Sequence, residues 1–182
     1  MLGAAVAILL TALATTAHAE KRMFSYDPIS ADARRLTGAG LTVLFDQGLM
    51  GGARPIKVLA TGVPAQALLI KGKDRDLGPM GLAGLEGVDA DAALYEVDPG
   101  AEQGKIYVRA FCPRATRLWL SFSRIAVRRD LRIQAFGDDP KAPGTVRVCG
   151  TLDFSWRGEW KLPDSHRPDP MEDWTDNLNG AR

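Results

Sequence analysis

Residues 146–156 read VRVCGTLDFSW, the longest stretch of the chain in which two kinds of side chain alternate. Such a period of two is typical of a strand with one buried face. The stretch predicts a long strand in which Arg147, Cys149, Thr151, Asp153 and Ser155 lie opposite the apolar phase. That apolar phase consists of Val146, Val148, Gly150, Leu152, Phe154 and Trp156.

Similar but shorter alternation recurs along the chain and predicts seven further strands. They are expected at Leu41–Phe45, Ile56–Ala60, Gln66–Lys71, Ala92–Val97, Ile106–Ala110, Leu118–Phe122 and Leu131–Phe136. Glycine- and proline-rich turn signals separate most of them. About eight short strands at this spacing favour a mainly β fold, either an antiparallel β-sandwich or a small soluble barrel.

Two segments add helical expectations. Ser30 to Leu36 predicts one short N-terminal helix, with Ser30 as its cap and Gly38 as its end. Apolar residues between Arg117 and Ile133 also fit helical spacing, and a helix there would make the fold α+β.

The first nineteen residues predict a cleaved signal peptide. They contain no charged side chain, and they end in Ala17-His18-Ala19, a pattern typical of signal-peptidase sites. The apolar run Leu2–Leu13 would rise about 18 Å as a helix, whereas a hydrocarbon core is about 30 Å thick. The mature protein is therefore expected in the periplasm or outside the cell, with no stable membrane span after cleavage.

The remaining residues predict a single β-rich domain over 20–161 and a tail over 162–182. The tail is rich in Pro and Asp and has little to bury, so an extended or disordered segment is expected.

Cys112 and Cys149 are the two cysteines of the chain, and export favours a disulfide between them over two buried thiols. Cys149 lies opposite the apolar phase of its strand. The bond is therefore expected on the outer face of the sheet or at its edge.

Histidine is scarce in the mature chain, where His166 in the tail is the one that remains. Histidine-dependent nucleophilic catalysis and multi-histidine metal sites are therefore not predicted. Glycine-rich phosphate-binding loops are also missing, so neither a metal nor a cofactor is expected.

Two carboxylates near aromatic residues suggest one enzymatic alternative. Asp153 and Glu159 flank a stretch that contains Trp156, and Trp160 follows. Glycoside hydrolysis uses two carboxylates beside a sugar-binding cleft, so a carboxylate-dependent, glycan-acting hydrolase is the alternative to a non-enzymatic protein.

Positive charge is concentrated in the second half of the chain. Residues 105–161 carry 12 basic and 5 acidic side chains, although the whole chain has a net charge of only +1. Arg109, Arg132 and Arg147 are predicted on the solvent side of their strands. If those strands are neighbours, the arginines form one face. Guanidinium groups bind carboxylates and phosphates in a bidentate manner, so such a face could dock an acidic protein or an anionic envelope polymer.

These patterns lead to one main functional hypothesis, an exported binding or structural-accessory domain that is not an enzyme. Pairing of the arginines with acids of the same chain is the competing explanation of the charge. Export and a pI near 8 argue against a nucleic-acid partner. A further alternative is an inhibitor or chaperone-like partner that offers an edge strand.

Overall fold

The computed structural model of the chain describes residues 20–48, 52–85, 87–89 and 92–160. Eight antiparallel strands in these ranges close into a barrel. The strands are β1 (Glu20–Pro28), β2 (Leu41–Gln47), β3 (Ala53–Ala60), β4 (Gln66–Lys71), β5 (Ala93–Val97), β6 (Leu118–Phe122), β7 (Leu131–Asp138) and β8 (Val146–Trp160). The connections carry helices α1 (Ala31–Thr37) and α2 (Glu102–Phe111) and the 3₁₀-helices Asp74–Leu77 and Gly81–Gly84. The predicted signal peptide and tail lie outside the described residues.

Strand β1 closes the barrel, because it pairs with β2 on one side and with β8 on the other. The remaining strands pair in chain order, so each described strand has two neighbours. The mainly β prediction is confirmed, and of its two architectures the protein adopts the barrel. Within the described ranges no strand lies at an open sheet edge, which an edge-strand inhibitor would need.

The sequence pattern does not predict β1. Phe24 and Tyr26 point into the barrel and are each 1% exposed, but charged residues flank them and the alternation is short.

The barrel interior is filled by side chains rather than hollow, as an eight-stranded barrel of this size allows. Its largest fully buried aromatic residues are Phe24, Tyr26, Phe45, Tyr107, Phe111, Phe122 and Phe154. The ring centroid of Phe24 lies 4.6 Å from that of Phe45 and 4.6 Å from that of Trp156. A ligand site has to be sought on the outside of the barrel.

Strand β8 contains two shifts of register, one beside Cys149 and one beside Arg157. A β-bulge adds one residue to a strand and so reverses which face the following side chains occupy. Val148 is 48% exposed as a result. The predicted alternation is therefore wrong at the start of the run and right from Gly150 to Phe154.

Helix α1 confirms the N-terminal prediction. The Ser30 hydroxyl accepts a hydrogen bond from the Ala33 amide at 3.1 Å, and Gly38 ends the helix with a positive φ of 67°. The helix buries Leu36 against β8 beside Gly150, where a larger residue would have less room.

The strand predicted at Ile106–Ala110 is wrong, because these residues belong to helix α2. The buried positions are Gly104, Tyr107, Val108 and Phe111, which follow helical spacing, whereas Ile106 is 38% exposed. Five residues of alternating character fit both periods, and packing against the barrel selects the helix. In contrast, the helix considered for Arg117–Ile133 does not form, since this stretch supplies β6 and the start of β7.

Tyr107 fixes α2 to the end of β3 through its buried hydroxyl. The Ala60 amide donates to this oxygen at 2.7 Å, and the hydroxyl donates to the Val58 carbonyl at 3.2 Å. Tyr107→Phe is expected to lower the free energy of unfolding by about 1–3 kcal/mol, because it strands two buried backbone groups. Urea unfolding checks this, with Tyr95→Phe as the control because the Tyr95 hydroxyl bonds no other described residue. Equal effects of the two substitutions would contradict the assignment.

The same hydroxyl predicts a loss of stability in alkali. Burial raises the pKa of Tyr107 to about 12, whereas an unfolded tyrosine titrates at about 10. The unfolded chain therefore loses this proton first, and the free energy of unfolding falls as pH rises from about 10 to about 12. Unfolding curves across this window should fall less steeply for Tyr107→Phe than for the wild type.

A second apolar cluster lies on the outer wall, and Leu82, Leu85 and Val88 of the connection between β4 and β5 pack against it. It consists of Leu77, Leu94, Trp119 and Phe136. Arg117 covers it, with its guanidinium carbon 4.5 Å from the centroid of the Trp119 ring and two hydrogen bonds to Glu96. Among the described residues, no helix is both long and apolar enough to cross a bilayer.

Candidate functional site

The outer wall of β6, β7 and β8 carries a groove of about 620 Å³, which we call the outer groove. One of its walls is the connection that contains residues 87–89 and 92, and the other is the turn between β6 and β7. Its polar and charged lining residues are Asp89, Ser121, Ser123, Arg124, Arg129, Asp130, Arg132, Gln134 and Asp153. Its volume is within the range of small-molecule and side-chain binding sites.

The floor of the outer groove is polar because it consists of the outward-facing side chains of β6, β7 and β8. The alternate side chains of these strands are apolar and fill the barrel. Ser121 alternates with the buried Leu120 and Phe122, and Gln134 alternates with Ile133 and Ala135. Ser121 and Gln134 are themselves only 2% and 5% exposed, since the first wall covers them. The Gln134 side-chain amide donates to the Gly87 carbonyl at 3.2 Å and so attaches this wall to the floor.

Arg132 and Asp153 form a cross-strand ion pair on the floor. They are directly opposite each other on β7 and β8, and the Arg132 Nε donates to Asp153 Oδ1 at 2.6 Å. This hydrogen bond raises the pKa of Arg132. The contact uses one guanidinium N–H group, so the terminal nitrogens of Arg132 stay available.

The second wall presents two exposed arginines. Arg124 and Arg129 line the outer groove, and neither forms an ion pair or a side-chain hydrogen bond with the described part of the chain. Asp130, between this wall and the floor, accepts a hydrogen bond from the Trp156 amide at 3.0 Å. Asp130 is therefore engaged by β8, whereas the two arginines are free to bind an anion.

The three arginines predicted to form one face do not come together. Arg109 lies on α2, Arg132 is paired with Asp153, and the Arg147 guanidinium donates to the Pro113 carbonyl. The prediction of a single face is wrong for two reasons. Residues 106–110 form a helix rather than a strand, and the bulge beside Cys149 turns Arg147 away from the outer phase.

The two carboxylates of the hydrolase alternative also lie apart. Asp153 is on the outer face of β8, whereas Glu159 follows the second bulge and pairs with Arg22 of β1 at 2.7 Å. Glu159 follows Asp153 by six positions, which corresponds to about 20 Å of extended strand. Glycosidase carboxylates are about 5–9.5 Å apart, so this pair does not form such a site.

The predicted bond between Cys112 and Cys149 is present, with the two Cα atoms 5.2 Å apart. Cys112 is completely buried, and Cys149 packs against the interior cluster. The bond therefore lies on the inner side of the wall, and the expectation of an outer-face position is wrong. The bulge beside Cys149 turns its side chain inward. A disulfide is typical of proteins that fold outside the reducing cytoplasm.

Within the described ranges, no group of three or more His, Cys, Asp or Glu side chains is arranged to hold a metal ion. Comparison with known proteins gives no further guide to the site. No family model, curated protein or solved structure matches the chain.

Sequence reasoning missed most of the outer groove. The alternation did place Ser121 and Ser123 on the outer phase of their strand, but it gave no reason to connect them with a site. Arg124 and Arg129 belonged to the basic block of the chain, and only the turn between β6 and β7 brings them to the same cavity.

Proposed function

We propose that the protein is an exported, non-enzymatic binding domain of the periplasm or the extracellular space. Its outer groove docks an acidic segment of a partner protein. The observation that carries this proposal is the pair of exposed guanidinium groups of Arg124 and Arg129. They line a groove with buried polar groups on its floor and have no ion-pair partner in the described part of the chain.

The chemistry of these groups suits a carboxylate. A guanidinium group binds a carboxylate through two parallel N–H donors, which gives orientation as well as affinity. Arg132 can add a further donor from its terminal nitrogens, because only its Nε is engaged by Asp153. Ser123 also lines the groove and is only partly buried, so its hydroxyl supplies a neutral polar contact.

The acids of the outer groove favour a protein segment over a uniformly charged polymer. Asp89, Asp130 and Asp153 line the groove together with the arginines. A polymer with a negative charge on every unit would be repelled at these positions. A peptide segment with spaced carboxylates can place its charges at Arg124 and Arg129 and keep them away from the acids.

Two further observations support the other parts of the proposal. The separation of Asp153 from Glu159 supports binding over glycan hydrolysis. The buried disulfide supports export, because such bonds are typical of proteins that fold outside the reducing cytoplasm.

The proposal predicts that the paired substitution R124E/R129E abolishes binding of an acidic peptide. The mature protein is titrated with a fluorescein-labelled peptide in which glutamates alternate with serines, and fluorescence anisotropy is measured. R124Q/R129Q is expected to weaken binding about tenfold or more, because each lost charged hydrogen bond costs about 1.5–3 kcal/mol. Wild-type binding should also weaken as salt is added.

Arg34→Glu is the matched control, since Arg34 is an exposed arginine on α1, away from the outer groove. It changes the net charge without touching the site, so it should leave most of the affinity intact. Equal losses in Arg34→Glu and in a single Arg124→Glu variant would assign the binding to overall charge. That result, or the lack of saturable binding by the wild type, would contradict the proposal.

A further inference from the structure

A second groove, of about 710 Å³, lies between α2 and β4 on another side of the barrel, and we call it the α2 groove. It shares no lining residue with the outer groove. The backbone amide of Gln66 donates to Gln103 Oε1 at 3.1 Å, and this hydrogen bond attaches the first turn of α2 to the start of β4. The lining therefore belongs to two elements that are fixed to each other.

One end of the α2 groove is cationic. Lys105 and Arg109 are four residues apart on α2 and line the same groove, so they lie on one helix face at a separation of about 6 Å. Neither forms an ion pair within the described residues. Glu102, one turn earlier, also lines the groove. An anion is therefore favoured at the Lys105–Arg109 end and disfavoured beside Glu102.

The floor between these charges is apolar. Leu68 on β4 and Ile106 on α2 line the groove and remain 39% and 38% exposed. A ligand that covers these two side chains is bound more tightly, because removal of apolar surface from water is favourable. The ligand is thus expected to carry an apolar group next to its negative charge.

Gln66 indicates that the ligand also carries a hydrogen-bond donor. Its side-chain oxygen is buried and accepts no hydrogen bond, although the residue lines the groove. A buried acceptor without a partner destabilises the fold, and rotation of the side chain towards the groove would let an N–H group of a ligand supply the missing hydrogen bond. The carboxyl terminus of a peptide combines these three groups: a carboxylate, an adjacent apolar side chain and a nearby N–H donor.

We propose that the α2 groove binds the free carboxyl terminus of a peptide that ends in an apolar residue. The terminal carboxylate is bound by Lys105 and Arg109, the last side chain covers Leu68 and Ile106, and a backbone N–H donates to Gln66. This site is independent of the proposed use of the outer groove.

The test uses a fluorescein-labelled alanine hexapeptide with a C-terminal leucine, made once with a free carboxylate and once as the amide. The full mature protein should bind the free acid about tenfold more tightly than the amide, because the amide lacks the charged hydrogen bonds. K105Q/R109Q should lose this preference and bind both forms equally. Gln66→Met should weaken both forms alike, since it removes the acceptor and leaves the cations in place.

Three controls make the result decisive. Arg34→Gln and R124Q/R129Q should leave the preference for the free acid unchanged, and far-UV circular dichroism should show that each variant is folded. Octanoate has the carboxylate and the apolar chain but no N–H, so it should compete poorly. Equal binding of acid and amide, an unchanged preference in K105Q/R109Q, or equally strong competition by octanoate would each overturn the proposal.

Discussion

Phe24→Ala is expected to lower the free energy of unfolding by about 3–5 kcal/mol, which is typical of a large-to-small change at a buried aromatic residue. The side chain is 1% exposed and is in contact with both Phe45 and Trp156. Its strand β1 also joins the two ends of the sheet. A cavity at this position therefore weakens the contacts that hold the barrel closed.

Urea unfolding monitored by tryptophan fluorescence measures this effect directly. Phe24→Leu should cost less, because it leaves a smaller cavity. Val127→Ala is the surface control, since Val127 is 49% exposed in the turn between β6 and β7, and it should change stability by no more than about 0.5 kcal/mol. A loss at Phe24 as small as that at Val127 would show that β1 does not hold the barrel closed.

Removal of the disulfide in C112A/C149A is expected to cost about 4 kcal/mol, the chain-entropy value for a loop of about 38 residues. The two cysteines are 37 positions apart, and the bond joins the end of α2 to the bulge in β8. Most domains are stable by only about 5–15 kcal/mol, so this variant should unfold at much lower urea concentration.

The reduced wild type provides the matched control for that variant. Reductant should bring the wild type close to C112A/C149A and should leave C112A/C149A itself unchanged. The contacts of Arg147 with Pro113 and of Asp138 with Thr116 remain in both proteins, so the segment after α2 should stay attached. A loss below about 1 kcal/mol would mean that these contacts, and not the disulfide, hold α2 in place.

The carboxyl group of Asp138, which holds this segment, has a pKa that its surroundings change. Burial acts to raise the pKa of Asp138, but hydrogen bonds from the Arg117 amide and from Thr116 outweigh it and keep the pKa below the ordinary value. The ionised carboxylate is thus the form that fixes residues 116 and 117 next to β7. This contact attaches the connection between α2 and β6 to the end of β7, and β6 is the strand that supplies Ser121 to the outer groove.

The sequence could predict only those parts of the candidate site that depend on residues close together in the chain. The alternation of side chains in β6 and β7 is a local pattern, and it predicts that Ser121 and Arg132 face outward. The position of Arg124 and Arg129 depends on how the turn between these strands folds, and no local pattern specifies that. The α2 groove needs a correct helix over residues 102–111, where five residues fit strand alternation as well.

The sequence by itself determined the features that depend on neighbouring residues. The period of two specified most strands, Ser30 and Gly38 specified the ends of α1, and a pair of cysteines allowed one disulfide. Tertiary structure decided what depends on distant contacts. These features are closure by β1, the helical state of α2, and the two bulges in β8, of which one turns Cys149 inward and the other lies between Asp153 and Glu159. A bulge changes the face of every later side chain on its strand, and the fit to the neighbouring strands selects its position. The long alternating run from Val146 to Trp156 was for this reason correctly predicted as a strand and only partly correct in its faces.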